Sequence, residues 1–453
     1  MSVPKDLRSF LHTVEEAGPR FFRRVEKPVN PNFDVSVIQQ KLTKTGQFPV
    51  LHFTKTIGSP LSIVSNLFGN YENLGLALDL KPKQMAEVGK GCILEEYIKR
   101  KADVGIYRDV NPSRSPVREL VIRGDQVDLA LLPIGRHAEL NGGKYITIGV
   151  TVLVDPDTGH INAGIYRHMI LGKDSITCNI TPNHHGSRII KRYQELGKSI
   201  PVAIIIGHHP ALFMGAAYSG PSIAGEFEFI STLLNEPLDV VKGITVDVPI
   251  FARSEIAIEG ILNPNELVKD GPFSEATGYY DDGNICPTIK VMAITMRHDA
   301  IYHDLCPMNH EHLQVNKLGR ESLIYEGVKK IMPCLRSVHQ GPESAVSSGV
   351  CFAAINKISN DDGYKVGMAI IDQMRSPKLV VIVDDDVDIF DQSEVLWAVC
   401  TRMGQKDKAV SIHTSKNSPI VLIDATKPLG ELFPKRSGLP QNNWDAIRLE
   451  DYL

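Results

Sequence analysis

Long runs in which apolar and polar side chains alternate with a period of two fill the middle of this chain, and no other feature constrains its fold as strongly. Tyr145-Ile-Thr-Ile-Gly-Val-Thr-Val-Leu-Val154 is followed by the turn Asp155-Pro-Asp-Thr-Gly159 and then by residues 160–171. Successive side chains of a strand point to opposite faces, so this arrangement reads as an antiparallel hairpin. Residues 244–251, Glu255-Ile-Ala-Ile-Glu259, and residues 288–296 continued by Arg-His-Asp-Ala-Ile-Tyr302 repeat the pattern. Residues 118–305 are therefore expected to form a mainly antiparallel sheet, closed as a barrel or sandwich. Inside it, residues 189–197 and 226–235 are predicted helices, the second with Phe227, Ile230 and Leu234 on one face, and residues 202–206 a buried strand.

The flanks have a different character. Residues 4–16 and 34–45 have helical periodicity, and Val50-Leu51-His52-Phe53 and Leu61-Ser-Ile-Val are short apolar strands, together an α/β layer. After a helical stretch at 321–329, the apolar runs beginning at Val366, Leu379 and Pro419 are predicted strands between helices, in a sheet covered on both faces. The expected organisation is an N-terminal α/β region over 1–117, a β-barrel domain over 118–325 and a C-terminal α/β domain over 326–453, reasonable for 453 residues. A formal charge of −4 without a long basic run argues against a nucleic-acid partner and for a small molecule. No apolar stretch approaches the roughly 18 residues of a membrane span, and the N-terminus has no signal-like apolar core, so a cytoplasmic protein is expected. Seven cysteines without a Cys-x-x-Cys pair give neither a disulfide framework nor a zinc knuckle, and are expected to be reduced core residues.

Two short segments carry the chemistry. Asn162-Ala-Gly-Ile-Tyr-Arg167 leaves an alternating strand, and Asp270-Gly-Pro-Phe-Ser-Glu275 sets two carboxylates on a turn stiffened by proline. An arginine between two acids keeps one ionised and lets the other hold a proton, which is equipment for proton transfer; the same residues also read as a surface salt-bridge cluster. Asn162, His185 and Glu226 offer an amide oxygen, an imidazole and a carboxylate, a set suited to Mn²⁺ or Mg²⁺ with a phosphate completing the shell and unlike a closed zinc site. Taken singly, each has an ordinary reading: Glu226 complements a helix dipole, Asn162 occupies a turn, and one of His184 and His185 lies on the surface. His310-Glu-His312 places two imidazoles on one side of an extended segment, as a metal pair would, but no third ligand follows at motif spacing and a polar loop is the expected reading. Asp384-Asp-Asp386 reads as a solvated strand end open to a cation, and the small residues of 207–220 as backbone able to approach a ring or phosphate.

Together and in this order, these residues resemble the UbiD family of reversible decarboxylases, which use prenylated flavin mononucleotide, over residues 40–425. In that family an Asn-x4-Arg segment supplies a metal ligand and the catalytic arginine, here Asn162 and Arg167. His185, with His184 beside it in His-His-Gly-Ser-Arg, and Glu226 in Glu-Phe-Glu-Phe complete a site for Mn²⁺, with K⁺ nearby, that holds the cofactor phosphate. The family's acid pair lies in Glu-Gly-Pro-(Phe/Tyr)-Gly-(Glu/Asp); here Asp270 replaces the first Glu and Ser274 the Gly, so a shorter acid must reach Arg167. Lys378 corresponds to a family lysine near the flavin phosphate. His312 and Arg320 resemble the pair with which furan-2,5-dicarboxylate decarboxylases bind the second carboxylate, while Arg320 also reads as a salt-bridged cap of the linker helix.

The resemblance implies an N-terminal α/β region, a split β-barrel that carries the cofactor, a linker helix and a C-terminal α/β domain. It also implies dimers or hexamers, an active site between the domains, and a flavin prenyltransferase as the source of cofactor. The implied reaction is non-oxidative decarboxylation of an aromatic or heteroaromatic acid, furan-2,5-dicarboxylate first, with pyrrole-, indole- or hydroxybenzoate-type acids behind it. Arg167 would orient the carboxylate and hold Asp270 ionised, and Glu275 would protonate the carbon that loses CO₂. Two other classes remain: a split-barrel flavin reductase, which needs a nicotinamide site, and an inactive scaffold, against which the retained Glu275 argues.

Overall fold

The computed structural model describes residues 4–180, 184–218, 220, 225–341, 348–374, 376–403, 409–415, 418–430, 432–438, 440, 446–447 and 451. They divide into two compact units, residues 1–327 with 340–349, and residues 328–339 with 350–453. The first opens with α1 (Leu7–Glu16), started by a capping box in which the Asp6 carboxylate accepts from the Ser9 N–H and Ser9 Oγ accepts from the Asp6 N–H. Its buried residues, Leu7, Phe10, Leu11 and Val14, recur at helical spacing. There follow β1 (Phe22–Val25), α2 (Asp34–Lys44), β2 (Val50–Phe53), β3 (Ser62–Ser65), α3 (Tyr71–Ala77), α4 (Pro82–Val88) and α5 (Gly91–Lys101).

β4 (Tyr107–Asp109) and β5 (Leu120–Arg123) lead to β6 (Tyr145–Val154), β7 (Ile161–Met169), β8 (Ser175–Thr177), α6 (His185–Glu195), β9 (Ile200–Ile206), α7 (Pro210–Ala216) and α8 (Glu226–Leu234). The unit continues with β10 (Leu238–Lys242), β11 (Pro249–Phe251), β12 (Ile256–Asp270), β13 (Phe273–Ser274), β14 (Tyr280–Asp281), β15 (Asn284–Met296), β16 (Ile301–Asp304), α9 (His310–Gln314) and α10 (Lys317–Ile331), whose residues from 328 onward belong to the second unit. Its main sheet runs β5-β15-β12-β9-β6-β7, antiparallel throughout, with β8 paired to β15. The segment holding β8 also meets β7 through the bridges Arg167↔Asn179 and Ile170↔Ile176, so the strand order returns to β15. This curled sheet encloses Ile146, Ile176, Val202, Ile204, Ile258 and Ile289. β16 leaves it to pair with β3 at the edge of the N-terminal sheet β1-β2-β3-β16.

Two expectations change here. Residues 244–251 do not form one strand: only Pro249–Phe251 pairs, with β10, in a separate sheet with β4. The Glu259 carboxylate accepts from the N–H groups of Ile244 and Thr245 at 3.0 and 2.7 Å and so withdraws those donors from any ladder. The small residues of 207–220 contain α7, all of it buried, and a Cβ on Gly215 would stand 2.6 Å from Ile230 Cγ1. Gly215 thus serves the close packing of α7 against α8. Of the cysteines, Cys178, Cys286, Cys306 and Cys351 are buried, whereas Cys92 and Cys334 are half-buried and Cys400 is exposed.

The second unit carries the sheet β17-β18-β19-β21-β20, formed by β17 (Leu335–His339), β18 (Ser348–Ile355), β19 (Ser376–Asp384), β20 (Val410–Ser415) and β21 (Ser418–Ala425), with α11 (Asp362–Gln373) and α12 (Gln392–Arg402). The run at Val366, expected as a strand, lies in α11, where Val366 and Ile370 fall one turn apart and are buried. The carboxylates of Asp384 and Asp386 are not a solvated strand end. Arg402 Nη1 meets them at 2.9 and 2.6 Å, and Lys427 Nζ meets Asp386 at 3.2 Å, so the cations are the protein's own. Among the described residues no helix is long and apolar enough to cross a membrane.

Candidate active site

β7 brings Arg167, and β12 ends at Asp270. Gly271 then takes φ +128°, and a Cβ there would stand 2.5 Å from Gly283 Cα, so only glycine passes this point. The chain turns into the β13–β14 hairpin, whose loop is tied by Glu275 N–H to Tyr279 O and Gly278 N–H to Glu275 O, both 2.9 Å. Ser274, which departs from the family motif, is buried and donates its N–H to Asn141 Oδ1 at 2.9 Å.

These elements close on the Arg167 guanidinium. Its Nε donates to Asp270 Oδ1 at 2.9 Å and its Nη1 to Glu275 Oε1 at 2.6 Å, while Nη2 faces Asp281 Oδ2 at 3.5 Å. The Phe273 ring lies under it, 4.4 Å from the guanidinium carbon. Burial by itself would lower the Arg167 pKa, but the charges of Asp270 and Glu275 outweigh it and the value is raised. Burial, reinforced by Asp270, pushes the Tyr145 hydroxyl up. Asp270 also accepts from Thr177 Oγ1 at 2.5 Å and Asn179 Nδ2 at 3.1 Å. Its side chain has 0% exposure against 35% for Glu275, so one acid is immobilised and the other is open to a ligand.

The second cluster joins the starts of two helices to β7. Asn162 Nδ2 donates to Glu226 Oε1 at 2.8 Å, and His185 Nδ1 lies 3.2 Å from the same oxygen. His160 Nε2 lies 3.0 Å from Glu226 Oε2. Asn162 Oδ1 is buried and has no hydrogen-bond partner among the described residues. A Cβ on Gly186 would stand 3.3 Å from that oxygen and 2.7 Å from the Tyr166 hydroxyl, so glycine keeps the space beside the amide clear. An unsatisfied buried amide oxygen beside a carboxylate and an imidazole fits a hard divalent cation. His184 is exposed, with its ring edge-on to Tyr166 at 6.5 Å.

His310 and His312 are not a metal pair on an extended segment. They lie on helix α9, where positions two apart point to different sides. His310 Nδ1 meets Gly69 O and His312 Nδ1 meets Pro307 O, each at 2.8 Å. Burial lowers the His312 pKa, and the charges of Glu275 and Arg320 both act on it, so the imidazole lies within electrostatic reach of the acid site. Arg320 does not cap a helix through a salt bridge. Its Nη2 donates to Leu313 O at 3.2 Å, its buried Nε has no partner among the described residues, and burial lowers its pKa. Lys378 belongs to the second unit, exposed on β19. Thus Arg167, Asp270 and Glu275 come together, as do Asn162, His185 and Glu226. The sequence reading missed Thr177, Asn179, His160 and Asp281; Asp281-Asp-Gly283 carries only an ordinary turn signal.

The chain matches the family models described as the 3-octaprenyl-4-hydroxybenzoate carboxy-lyase N-terminal domain over residues 21–90, Rift-related domain over 108–310 and C-terminal domain over 314–431. Among solved structures it is similar to an evolved dimeric form of the UbiD-class enzyme HmfF from Pelotomaculum thermopropionicum in complex with prFMN, at 30% identity and a TM-score of 0.89 over 99% of this chain and 100% of that one. It is similar to the vanillic acid decarboxylase of Sedimentibacter hydroxybenzoicus in its open form at 26% identity and a TM-score of 0.85, over 100% of this chain and 99% of that one. The apo 3,4-dihydroxybenzoic acid decarboxylase of Klebsiella pneumoniae shares the fold at 22% identity and a TM-score of 0.85, over 97% of this chain and 99% of that one.

Proposed function

Since the chain belongs to the UbiD family of prenylated-FMN-dependent carboxy-lyases, we propose that it reversibly decarboxylates a heteroaromatic diacid, with furan-2,5-dicarboxylate as the preferred substrate. The observation that carries the acid–base part is the Arg167 fork, which ties a fixed Asp270 and a partly exposed Glu275 to one guanidinium. Prenylated FMN, when bound, supplies the electron sink for the charge left as CO₂ departs. Arg167 grips the reacting carboxylate and turns its ring toward Glu275. Asp270, held by Thr177 and Asn179, keeps Arg167 in place. Glu275 delivers the proton to the ring carbon from which CO₂ has left.

Asn162, His185 and Glu226 would hold Mn²⁺, with K⁺ as a second cation, and with His184 beside them would anchor the cofactor phosphate. The diacid preference rests on Arg320, whose buried Nε has no partner among the described residues, together with the neighbouring His312. A buried guanidinium with an unmet donor favours a second carboxylate. The enzyme works in the cytoplasm as a homo-oligomer, and a flavin prenyltransferase supplies its cofactor.

Co-expression with a flavin prenyltransferase, followed by absorption spectra and CO₂ release from a panel of furan-2,5-dicarboxylate, furan-2-carboxylate, pyrrole-2-carboxylate and 4-hydroxybenzoate, tests this. Release that requires co-expression and is fastest for the diacid is expected. Faster release from the monoacid removes the argument from Arg320. Bound flavin with release only from the hydroxybenzoate moves the substrate toward the phenolic acids named for other structures of this fold.

A further inference from the structure

Each nitrogen of the Arg167 guanidinium faces a carboxylate: Nε faces Asp270 at 2.9 Å, Nη1 faces Glu275 at 2.6 Å, and Nη2 faces Asp281 at 3.5 Å. A guanidinium grips a carboxylate bidentately along the Nε/Nη2 edge or along the Nη1/Nη2 edge. Both edges include Nη2. A substrate carboxylate held in this way takes Nη2 from Asp281 and must also share Nε with the buried Asp270 or Nη1 with the partly exposed Glu275, so Nη2 is the one nitrogen that every such grip requires.

The three acids differ in how readily they yield. Asp270 is fully buried, and both of its oxygens have further donors in Thr177 and Asn179. Glu275 makes the shortest contact of the three. Asp281 makes the longest, and its side chain is 36% exposed. Its other oxygen, Oδ1, accepts the Gly283 N–H at 3.1 Å, and its backbone pairs with Phe273, whose ring underlies the guanidinium. Release of Nη2 thus returns one Asp281 oxygen to water without unseating the residue.

On the reading that Arg167 receives the substrate carboxylate, we propose that Asp281 is a placeholder for that carboxylate, a positioning residue that holds Nη2 in plane and yields it to the incoming acid. At Nη2 binding becomes an exchange of one carboxylate for another, and the strength of the Asp281 contact sets how well an acid must compete there. The exchange favours a planar anion over a neutral amide or ester of the same ring, because only an anion replaces the charge that leaves.

The test is steady-state kinetics of the cofactor-loaded enzyme with the panel acid that releases CO₂ fastest. Asp281→Asn keeps an acceptor for the Gly283 N–H and removes the competing charge, so KM is expected to fall about tenfold. Asp281→Glu, one methylene longer, reaches Nη2 more closely and raises KM. In both variants the larger change lies in KM and the smaller in kcat. A residue that merely braced the hairpin would lose activity in both variants without opposite shifts of KM. Equal KM values, or shifts in the same direction, overturn the proposal. Arg167→Lys separates it from the reading beneath it: an unaltered KM in that variant brings down the role of Arg167 and the placeholder together, whereas a raised KM there without opposite shifts at position 281 brings down the placeholder alone.

Discussion

Asp270 reaches Arg167 although it is one methylene shorter than the glutamate of the related motif, because β12 ends at it beside β7 and two neighbours hold it from the other side. Thr177 Oγ1 at 2.5 Å and Asn179 Nδ2 at 3.1 Å leave its carboxylate no other place to point. Thr177→Val keeps the shape and removes the donor, leaving a buried carboxylate oxygen unpaired. A stability loss of about 1–3 kcal/mol is expected in urea unfolding, restored by Thr177→Ser. Glu275 has the opposite character, partly exposed and bound only at its tip. Glu275→Gln is expected to fold and to bind flavin at the wild-type level, while turnover falls by about 10²-fold or more. Retained turnover would remove it as the proton donor. Arg167, Asp270 and Glu275 were legible in the sequence because a Gly-Pro turn between acids is a local signal. Thr177 was not, since a threonine in a short alternating run looks like any strand residue until the opposite strand arrives.

Among the elements, α9 depends most on a single buried group. Glu311 accepts from the N–H groups of Asn66 at 2.8 Å and Phe68 at 3.4 Å, and from Gln39 Nε2 at 3.3 Å, which pins the helix carrying His312 to the end of β3. Burial, with Asp304 adding to it, raises the Glu311 pKa from 4.5 to about 8, despite these donors. The folded value exceeds the unfolded one, so the stability this group contributes is full below about pH 4.5 and is lost as pH rises through about 8. Glu311→Gln is expected to flatten the fall in stability across that window, measured as the difference between wild-type and variant unfolding curves at several pH values. Parallel curves would show that Glu311 does not titrate there. Elements also mark where local pattern misleads. The short apolar run Val366-Gly-Met-Ala-Ile-Ile371 serves a strand or a helix equally well, and the contacts of α11 with its sheet decide between them.

At the scale of the whole molecule, the proposed metal site at Asn162, His185 and Glu226 would couple folding to ligand. A cation that binds Asn162, His185 and Glu226 only when β7, α6 and α8 are assembled stabilises the fold by about 2.7 kcal/mol at a hundred times its Kd. Adding Mn²⁺ to metal-stripped protein is therefore expected to raise Tm, and Asn162→Ala to abolish that rise while keeping the apo Tm within a few degrees. An equal rise in both proteins would place the cation elsewhere. The sequence by itself determined the mixed α/β class, the curled antiparallel sheet in the middle and the residue types of both clusters, because side-chain period, turn chemistry and motif spacing are properties of neighbouring residues. Only the tertiary structure decided that Thr177 meets Asp270 across 93 residues, that Asp281 takes the last nitrogen of Arg167, and that His310 and His312 part on a helix. Those contacts follow from the return of the sheet to β15 through β8 and from the burial of Glu311. Both are closures between distant segments, and no local pattern encodes them.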